Sequence, residues 1–275
     1  VRALVRKGSN QQITDEFKSK GVEVCYVESW TIEGLKPFCK DATCVVSALA
    51  GLRDVVIDAQ TILLDAAMAA GVPRFIPSDY SLDFTKFNYG ENRNLDWRRE
   101  FHEYLNKQKI STTSVFNGAF MELLLDEMPM IIFKKKLVVY WGQADYKWGF
   151  TTMDNTAAFT AKIATDFSCP RYLHIAGDII SPTAVREVVS EVYGTKFRFI
   201  RAGGSGFLGM LIKIIRKLSP SPNELYPAWQ GMQYMHNMID ERSKIYRLAN
   251  DRYPEIKWTT VKDILSSFKQ QSNIN

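Results

Sequence analysis

Cys44-Val45-Val46-Ser47-Ala48-Leu49-Ala50-Gly51 and, downstream of it, Arg74-Phe75-Ile76-Pro77-Ser78-Asp79-Tyr80 are the stretches whose reading decides the fold. Each begins as a short apolar strand. Between them, Asp54 to Ala70 carries Val55, Val56, Ala59, Ile62, Leu63, Ala66, Ala67 and Ala70 at helical spacing, and Gly71 and Pro73 end the helix. Two strands separated by a helix are too far apart for a hairpin, so they form a βαβ unit and lie in a parallel sheet. The chain therefore reads as an α/β protein: a Rossmann-like doubly wound parallel sheet with a smaller C-terminal α/β substrate region. In such sheets ligands bind outside the carboxyl ends of the strands. That rule selects Ser47 to Gly51 and Pro77 to Tyr80 as the place for chemistry.

Working outward toward the N-terminus, Val1 to Val5 is a strand, Gln12 to Lys20 a helix, and Gly21 to Val27 another strand. A dinucleotide-binding fold starts one strand and one helix earlier, with a glycine-rich turn that brings the pyrophosphate to a helix N-terminus. No such turn precedes these strands here, so the expectation is that the first strand and its turn belong to a longer natural chain. In that register Arg6 ends the second strand. An acid there would bind the ribose hydroxyl of NAD(H), whereas Arg6-Lys7, with Ser9 and Asn10 beside them, suits the extra phosphate of NADP(H). The plainer alternative is a solvated basic loop. NADP(H) is the preferred cofactor and NAD(H) the second.

Composition narrows the function further. Of 275 residues, 46% are hydrophobic, and 35 basic residues against 30 acidic ones leave a net charge of +5. The basic residues are dispersed, with no reading motif, which argues against nucleic acid. Cys25, Cys39, Cys44 and Cys169 contain no C-x-x-C pair and fit a reducing, cytoplasmic setting. His102, His174 and His236 lack metal-ligand spacing, so no metal is expected. Phe207 to Leu218 is apolar but is interrupted by Lys213 and Arg216 and is too short to span a bilayer. No membrane segment or signal peptide is expected.

Downstream, Lys109 to Phe120 reads as a strand closing in Asn117-Gly118, and Met121 to Phe133 as a helix. Val138-Val139-Tyr140-Trp141 and Trp148 to Phe150, with Asp145 and Tyr146 between them, read as a polar and aromatic hairpin that walls a substrate pocket or simply packs. Asp154 caps a helix to Ala164, and Ser181-Pro182-Thr183 opens one to Tyr193. A strand follows at Lys196 to Arg201, then a Met-rich helix after Ala228 and a last helix from Trp258 to Phe268. Residues 1–150 are expected to form the cofactor domain and 151–275 mainly the substrate region, interleaved with the sheet. Gly204-Ser205-Gly206-Phe207-Leu208-Gly209 is a literal G-x-G-x-x-G. The proline-interrupted sequence after it does not supply the parallel strand with a terminal acid that the fingerprint requires.

The run Gly71 to Tyr80, together with Arg6-Lys7, Ser47-Ala48-Leu49, Thr113 to Phe120 and Phe150-Thr151-Thr152, resembles the NmrA-like proteins. These are atypical members of the short-chain dehydrogenase superfamily that include isoflavone-reductase-like enzymes. The resemblance covers essentially the whole chain and implies NAD(P) binding, with Arg6, Lys7, Ser47, Ala48, Leu49, Pro77, Ser78, Asp79, Asn117 and Gly118 around the cofactor; Ser78 and Asp79 either bond it or cap the next turn, and Gln60, a polar exception on an apolar helix, either faces it or lies on a partly exposed turn. It sets Tyr80 beside the nicotinamide, as a wall or as an acid, and Phe120, Trp148 and Phe150 toward a small-molecule substrate. The family's catalytic lysine falls near Arg98, whose guanidinium binds hydroxyls but exchanges protons poorly at neutral pH. The superfamily's Tyr-x-x-x-Lys pair is absent, since Gln108 stands four residues after Tyr104. Tyr80 and Arg98 are therefore the candidate catalytic pair. The leading expectation is an NADP(H)-dependent oxidoreductase acting on a small carbonyl, quinone or unsaturated substrate. The rival is a non-catalytic NAD(P)(H) sensor that regulates a protein partner, and sugar-nucleotide epimerisation ranks third.

Overall fold

In the computed structural model, which describes residues 1–125 and 128–272, the chain folds into two units. The first comprises Val1–Ser78 and Glu100–Thr113, and the second Asp79–Arg99 and Ser114–Asn275. Both units are discontinuous in sequence.

The first unit runs β1 (Arg2–Arg6), α1 (Gln11–Ser19), β2 (Glu23–Val27), α2 (Ile32–Cys39), β3 (Val45–Val46), α3 (Gln60–Ala69) and β4 (Arg74–Ile76). It then takes the second part of α4 (Arg93–Leu105) and β5 (Ser111–Thr112). β1 pairs in parallel with β2, and β3, β4 and β5 form a parallel sheet in that order. The helices start where short polar side chains take up free amides. Asn10 accepts from the Gln12 N–H at 2.9 Å, and Thr31 from the Gly34 N–H at 3.1 Å. One π-helical turn, Asp54–Ala59, leads into α3, which Gly71 ends at a φ of 77°. All three β4 residues are buried, as in a strand covered on both faces. Arg74 is among them, and its Nη2 donates to Thr113 Oγ1 at 2.7 Å.

The second unit holds β6 (Ser114–Phe116), β7 (Ala119–Phe120), β8 (Ile131–Ile132), β9 (Leu137–Trp141), β10 (Trp148–Thr151), α5 (Met153–Ile163), β11 (Tyr172–His174) and β12 (Asp178–Ile180). α6 (Pro182–Tyr193), β13 (Arg198–Gly203), α7 (Ser205–Leu218), α8 (Ala228–Met238) and α9 (Val261–Ser272) complete it. Its core includes Phe84, Phe116, Met121, Leu124, Val138, Phe150, Val185, Phe197 and Leu265.

Three local expectations are corrected here. β9 and β10 do not form a hairpin: β9 lies between β13 and β8, and β10 between β12 and β7. The pairing is long-range: β9 runs beside Arg198 to Gly203 and β10 beside Asp178 to Ile180. Met121 to Phe133 is not one helix; it gives a 3-10 turn at Met121–Leu124, then β8 and a second turn at Phe133–Lys135, and residues 126 and 127 lie outside the described residues. α5 is capped by Thr152, whose Oγ1 accepts from the Asn155 N–H at 3.1 Å, so Asp154 sits within the first turn. The G-x-G-x-x-G stretch connects β13 to α7, and α7 is followed by α8 with no later strand among the described residues. The four cysteines are free, and burial pushes the Cys44 thiol up to about 11.

Candidate functional site

The first unit contributes the carboxyl ends of its parallel strands. Ser47, one residue beyond β3, donates its N–H to the Ile76 carbonyl at 2.8 Å and is buried. Its hydroxyl has no hydrogen-bond partner among the described residues. Ala48 is exposed and Leu49 half-buried, so this turn opens to solvent. A Cβ on Gly51 would lie 2.6 Å from Val55, so the turn packs directly on the following helix. Gln60 is fully buried: its Nε2 donates to the Val56 carbonyl at 2.9 Å and its Oε1 accepts the Ser78 N–H at 2.9 Å. It is a brace under the Pro77-Ser78 turn. Gln60→Leu is therefore expected to lower stability by about 2 kcal/mol, because a buried amide then loses its acceptor. Urea unfolding read by fluorescence measures this.

At the end of β1, Arg6 and Lys7 are exposed. The Arg6 guanidinium lies 5.6 Å from the centre of the Trp30 ring, and Lys7 Nζ lies 3.8 Å from Glu28. Pairs this exposed contribute little to folding, which leaves both cations available to a ligand.

The second unit contributes Asp79, Tyr80 and the Asn117-Gly118 turn. Asp79 is fully buried and Tyr80 half-buried. Ser81 forms a parallel bridge with Phe116, which ties the segment after Tyr80 to β6. Asn117 is fully buried between β6 and β7, and its Oδ1 has no partner among the described residues. Its carbonyl accepts from Thr151 Oγ1 at 2.7 Å. Gly118 has a φ of 67°, and a Cβ there would lie 2.2 Å from the Gly149 carbonyl oxygen. Only glycine fits this close approach. Arg98, on α4, donates to the Asn94 carbonyl at 3.0 Å, one turn back along its own helix. Phe120 is half-buried, and Phe150 is fully buried in the core.

A narrow cleft of about 20 Å³, room for one water-sized group, lies in the same unit. Leu82, Phe116, Gly118, Trp148, Met238 and Ile245 supply its backbone and apolar lining, joined by Asp83 and His174. Trp148 is thus the one expected substrate residue that lines it. Its indole N–H is buried with no acceptor among the described residues. His174 Nε2 lies 2.9 Å from Asp83 Oδ2. Burial alone would push the Asp83 carboxyl up. Hydrogen bonds from His174 and Thr85, with the charges of His174 and Lys86, outweigh it and hold the group below its ordinary value. Sequence reading missed this pair. Asp83 carries a cap signal before Phe84-Thr85, but nothing links it to a histidine 91 residues away until β11 pairs with β6.

Among the described residues no group of His, Cys, Asp and Glu could hold a metal ion, and no helix is long and apolar enough to cross a membrane.

A profile of the NmrA-like family matches residues 1–265. An NmrA-like family domain-containing oxidoreductase of Gibberella moniliformis is 31% identical over 143 residues, which is 49% of this chain and 46% of that protein. Isoeugenol synthase 1 of Clarkia breweri is 22% identical over 94% of this chain and 83% of its own length. Among solved structures, an isoflavone reductase superposes with a TM-score of 0.80 at 18% identity, covering 98% of this chain and 91% of that one. A structure described as AtPrR2 with NADP+ and (+)pinoresinol gives 0.81 at 20% identity, over 97% and 90%. These superpositions establish a Rossmann-like α/β fold.

Proposed function

Since the chain belongs to the NmrA-like family, we propose that it is an NADP(H)-dependent oxidoreductase acting on a small organic molecule. The observation that carries this reading is the exposed Arg6-Lys7 pair at the carboxyl end of a parallel strand, where the cofactor's 2′-phosphate binds in this fold. The Ser47 hydroxyl, buried and without a partner among the described residues, fits that cofactor as a donor. In the first unit Leu49, Pro77 and Ser78 lie at the same strand ends; in the second, Asp79, Tyr80, Asn117 and Gly118 are the residues this reading gives to the cofactor, Tyr80 as an aromatic wall. The cofactor supplies a hydride when bound. The chain's own residues orient it and exclude water, and Trp148 receives the substrate. Relatives that span most of this chain are named pinoresinol reductase 1 and isoeugenol synthase 1, each for an organic compound.

The test measures NADPH and NADH affinity by fluorescence, then NADPH absorbance with a panel of aldehydes, enones and quinones. Wild type is expected to bind NADPH more tightly and to consume it with at least one compound. Replacing both Arg6 and Lys7 with alanine is expected to weaken NADPH binding about 10- to 100-fold while barely changing NADH, as loss of charge-assisted phosphate contacts predicts. Equal losses for the two cofactors would remove the phosphate assignment. Arg98 in the lysine position favours a second reading, a cofactor-holding sensor that acts on a protein partner. Binding of NADPH with no turnover of any compound would select it.

A further inference from the structure

We propose that His174, positioned by Asp83, is the proton donor of a carbonyl-reducing site in the second unit; this rests on the oxidoreductase reading above. The cleft is apolar on most sides, with Leu82, Phe116, Met238 and Ile245, and Asp83, Trp148, His174 and Ser243 give it polar side chains; its volume of about 20 Å³ matches a single oxygen-sized group. One polar side chain in its lining has an unmatched donor: the Trp148 indole N–H is buried with no acceptor among the described residues. His174 engages Asp83 through Nε2, which leaves Nδ1, an acceptor in the neutral ring and a donor in the imidazolium. A buried unmatched donor beside that ring suits a ligand that brings an acceptor oxygen and little else.

The pair is built to hold one geometry. Asp83 is fixed from its own side, since its Oδ1 accepts from the Thr85 N–H at 3.1 Å and from Thr85 Oγ1 at 2.5 Å. His174 is fixed by strand β11, by the Asp83 carboxylate, and by the Phe116 ring, whose centroid lies 5.2 Å from the imidazole. With Nε2–H donated to the carboxylate, Nδ1 is the ring atom that gives and takes a proton. Asp83 and Lys86, whose Nζ lies 3.8 Å from Asp83, are the charged groups around the ring, and Lys86 itself reaches the Lys244 carbonyl and the Tyr246 ring. Gly118, whose turn the function proposed above sets at the nicotinamide, lines the same cleft and packs against the Gly149 carbonyl.

The substrate class that follows is a small neutral aldehyde or ketone. Hydride from NADPH forms a C–H bond at the carbonyl carbon, the carbonyl π bond breaks toward oxygen, and that oxygen takes the proton from His174. The products are an alcohol and NADP+, and His174 regains its proton from water. Such a role does not ask Arg98 or Tyr80 to exchange a proton.

The experiment compares wild type with His174→Gln, His174→Ala and Asp83→Asn. NADPH affinity is expected to be unchanged in all three. kcat/KM for an aldehyde substrate is expected to fall 100-fold or more in both His174 variants, within the usual range for loss of a general acid. Added imidazole should restore part of the His174→Ala activity, and the alkaline limb of the wild-type pH profile should vanish in His174→Gln. In Asp83→Asn that limb should move, which a purely structural role for Asp83 would not produce. Independently of turnover, ¹⁵N NMR with acetophenone as the probe should shift the His174 Nδ1 and Trp148 indole resonances of wild type. Turnover by His174→Gln at the wild-type rate, or acetophenone leaving both resonances unmoved at millimolar concentration, would overturn the proposal. NADPH bound but no compound reduced would instead overturn the oxidoreductase reading, while the NMR arm still decides whether the cleft takes a carbonyl group.

Discussion

Gly118→Ala is expected to lower stability by about 3–5 kcal/mol and to abolish measurable NADPH binding. Two separate costs combine. An alanine held at a φ of 67° loses about 1 kcal/mol or more relative to glycine. Its methyl carbon would also stand 2.2 Å from the Gly149 carbonyl oxygen, and that neighbour is backbone in β10, which cannot swing aside as a side chain would. Gly149 is itself confined, since a Cβ there would meet Ile245 at 2.7 Å. Gly90→Ala is the control, because Gly90 has a φ of 87° and open space around it, so it should show the conformational cost alone. Thermal unfolding of the two variants separates the terms: Gly90→Ala should fall by a few degrees and Gly118→Ala by roughly 10 °C. Equal shifts would mean that β7 and β10 part easily at this turn.

Asn92→Leu is expected to cost about 3–5 kcal/mol, although the residue touches no part of the candidate site. Asn92 is buried, and its Oδ1 accepts from the Asn94 and Leu95 N–H groups, which caps α4, and also from Gln230 Nε2 at 2.8 Å. Its Nδ2 donates to Asn237 Oδ1 at 2.9 Å. Leucine would remove the cap, at about 1 kcal/mol, and leave polar atoms of Gln230 and Asn237 buried without partners, at about 1–3 kcal/mol each. Asn92→Ser keeps a side-chain acceptor for the cap but not the amide, and should recover only the cap's share, about 1 kcal/mol. Chemical denaturation that places Asn92→Ser level with wild type would show that the amide network has no weight of its own.

How much was legible in the sequence depended on the range of the interaction involved. Gly71 as a helix stop, Ser181-Pro182 as a helix start and the βαβ unit around Ser47 are all recorded in neighbouring residues, and all appear in the structure. Ser47, Ser78 and Gly118 stood out as candidates because turns are marked locally, and Gln60 as an odd polar residue on an apolar helix; the structure gives Gln60 a bracing role under Ser78. Strand partnership was not. Trp141 and Trp148 are close in sequence, yet β9 and β10 join different sheets, because the choice is made by β13 and β12, far along the chain. His174 and Asp83 are the same case in the site, brought together by the β6–β11 pairing and the Ser81–Phe116 bridge. Lys109 to Phe120 reads as one strand, yet Ser111–Thr112 pairs with β4, Ser114–Phe116 with β11 and Ala119–Phe120 with β10.

The π-helical turn before α3 gives the chain one residue to spare between Ser47 and Gln60. Such a turn accommodates one residue more than an α-helix would. Removing any one residue from Asp54 to Ala59 would let the segment relax into ordinary helix, while Gln60 keeps nearly its present angle under the Ser78 amide. A single deletion in this stretch is therefore expected to be better tolerated than an insertion, which would have to be absorbed a second time. A family alignment should show one-residue gaps between Gly51 and Gln60 in relatives whose helix is regular there.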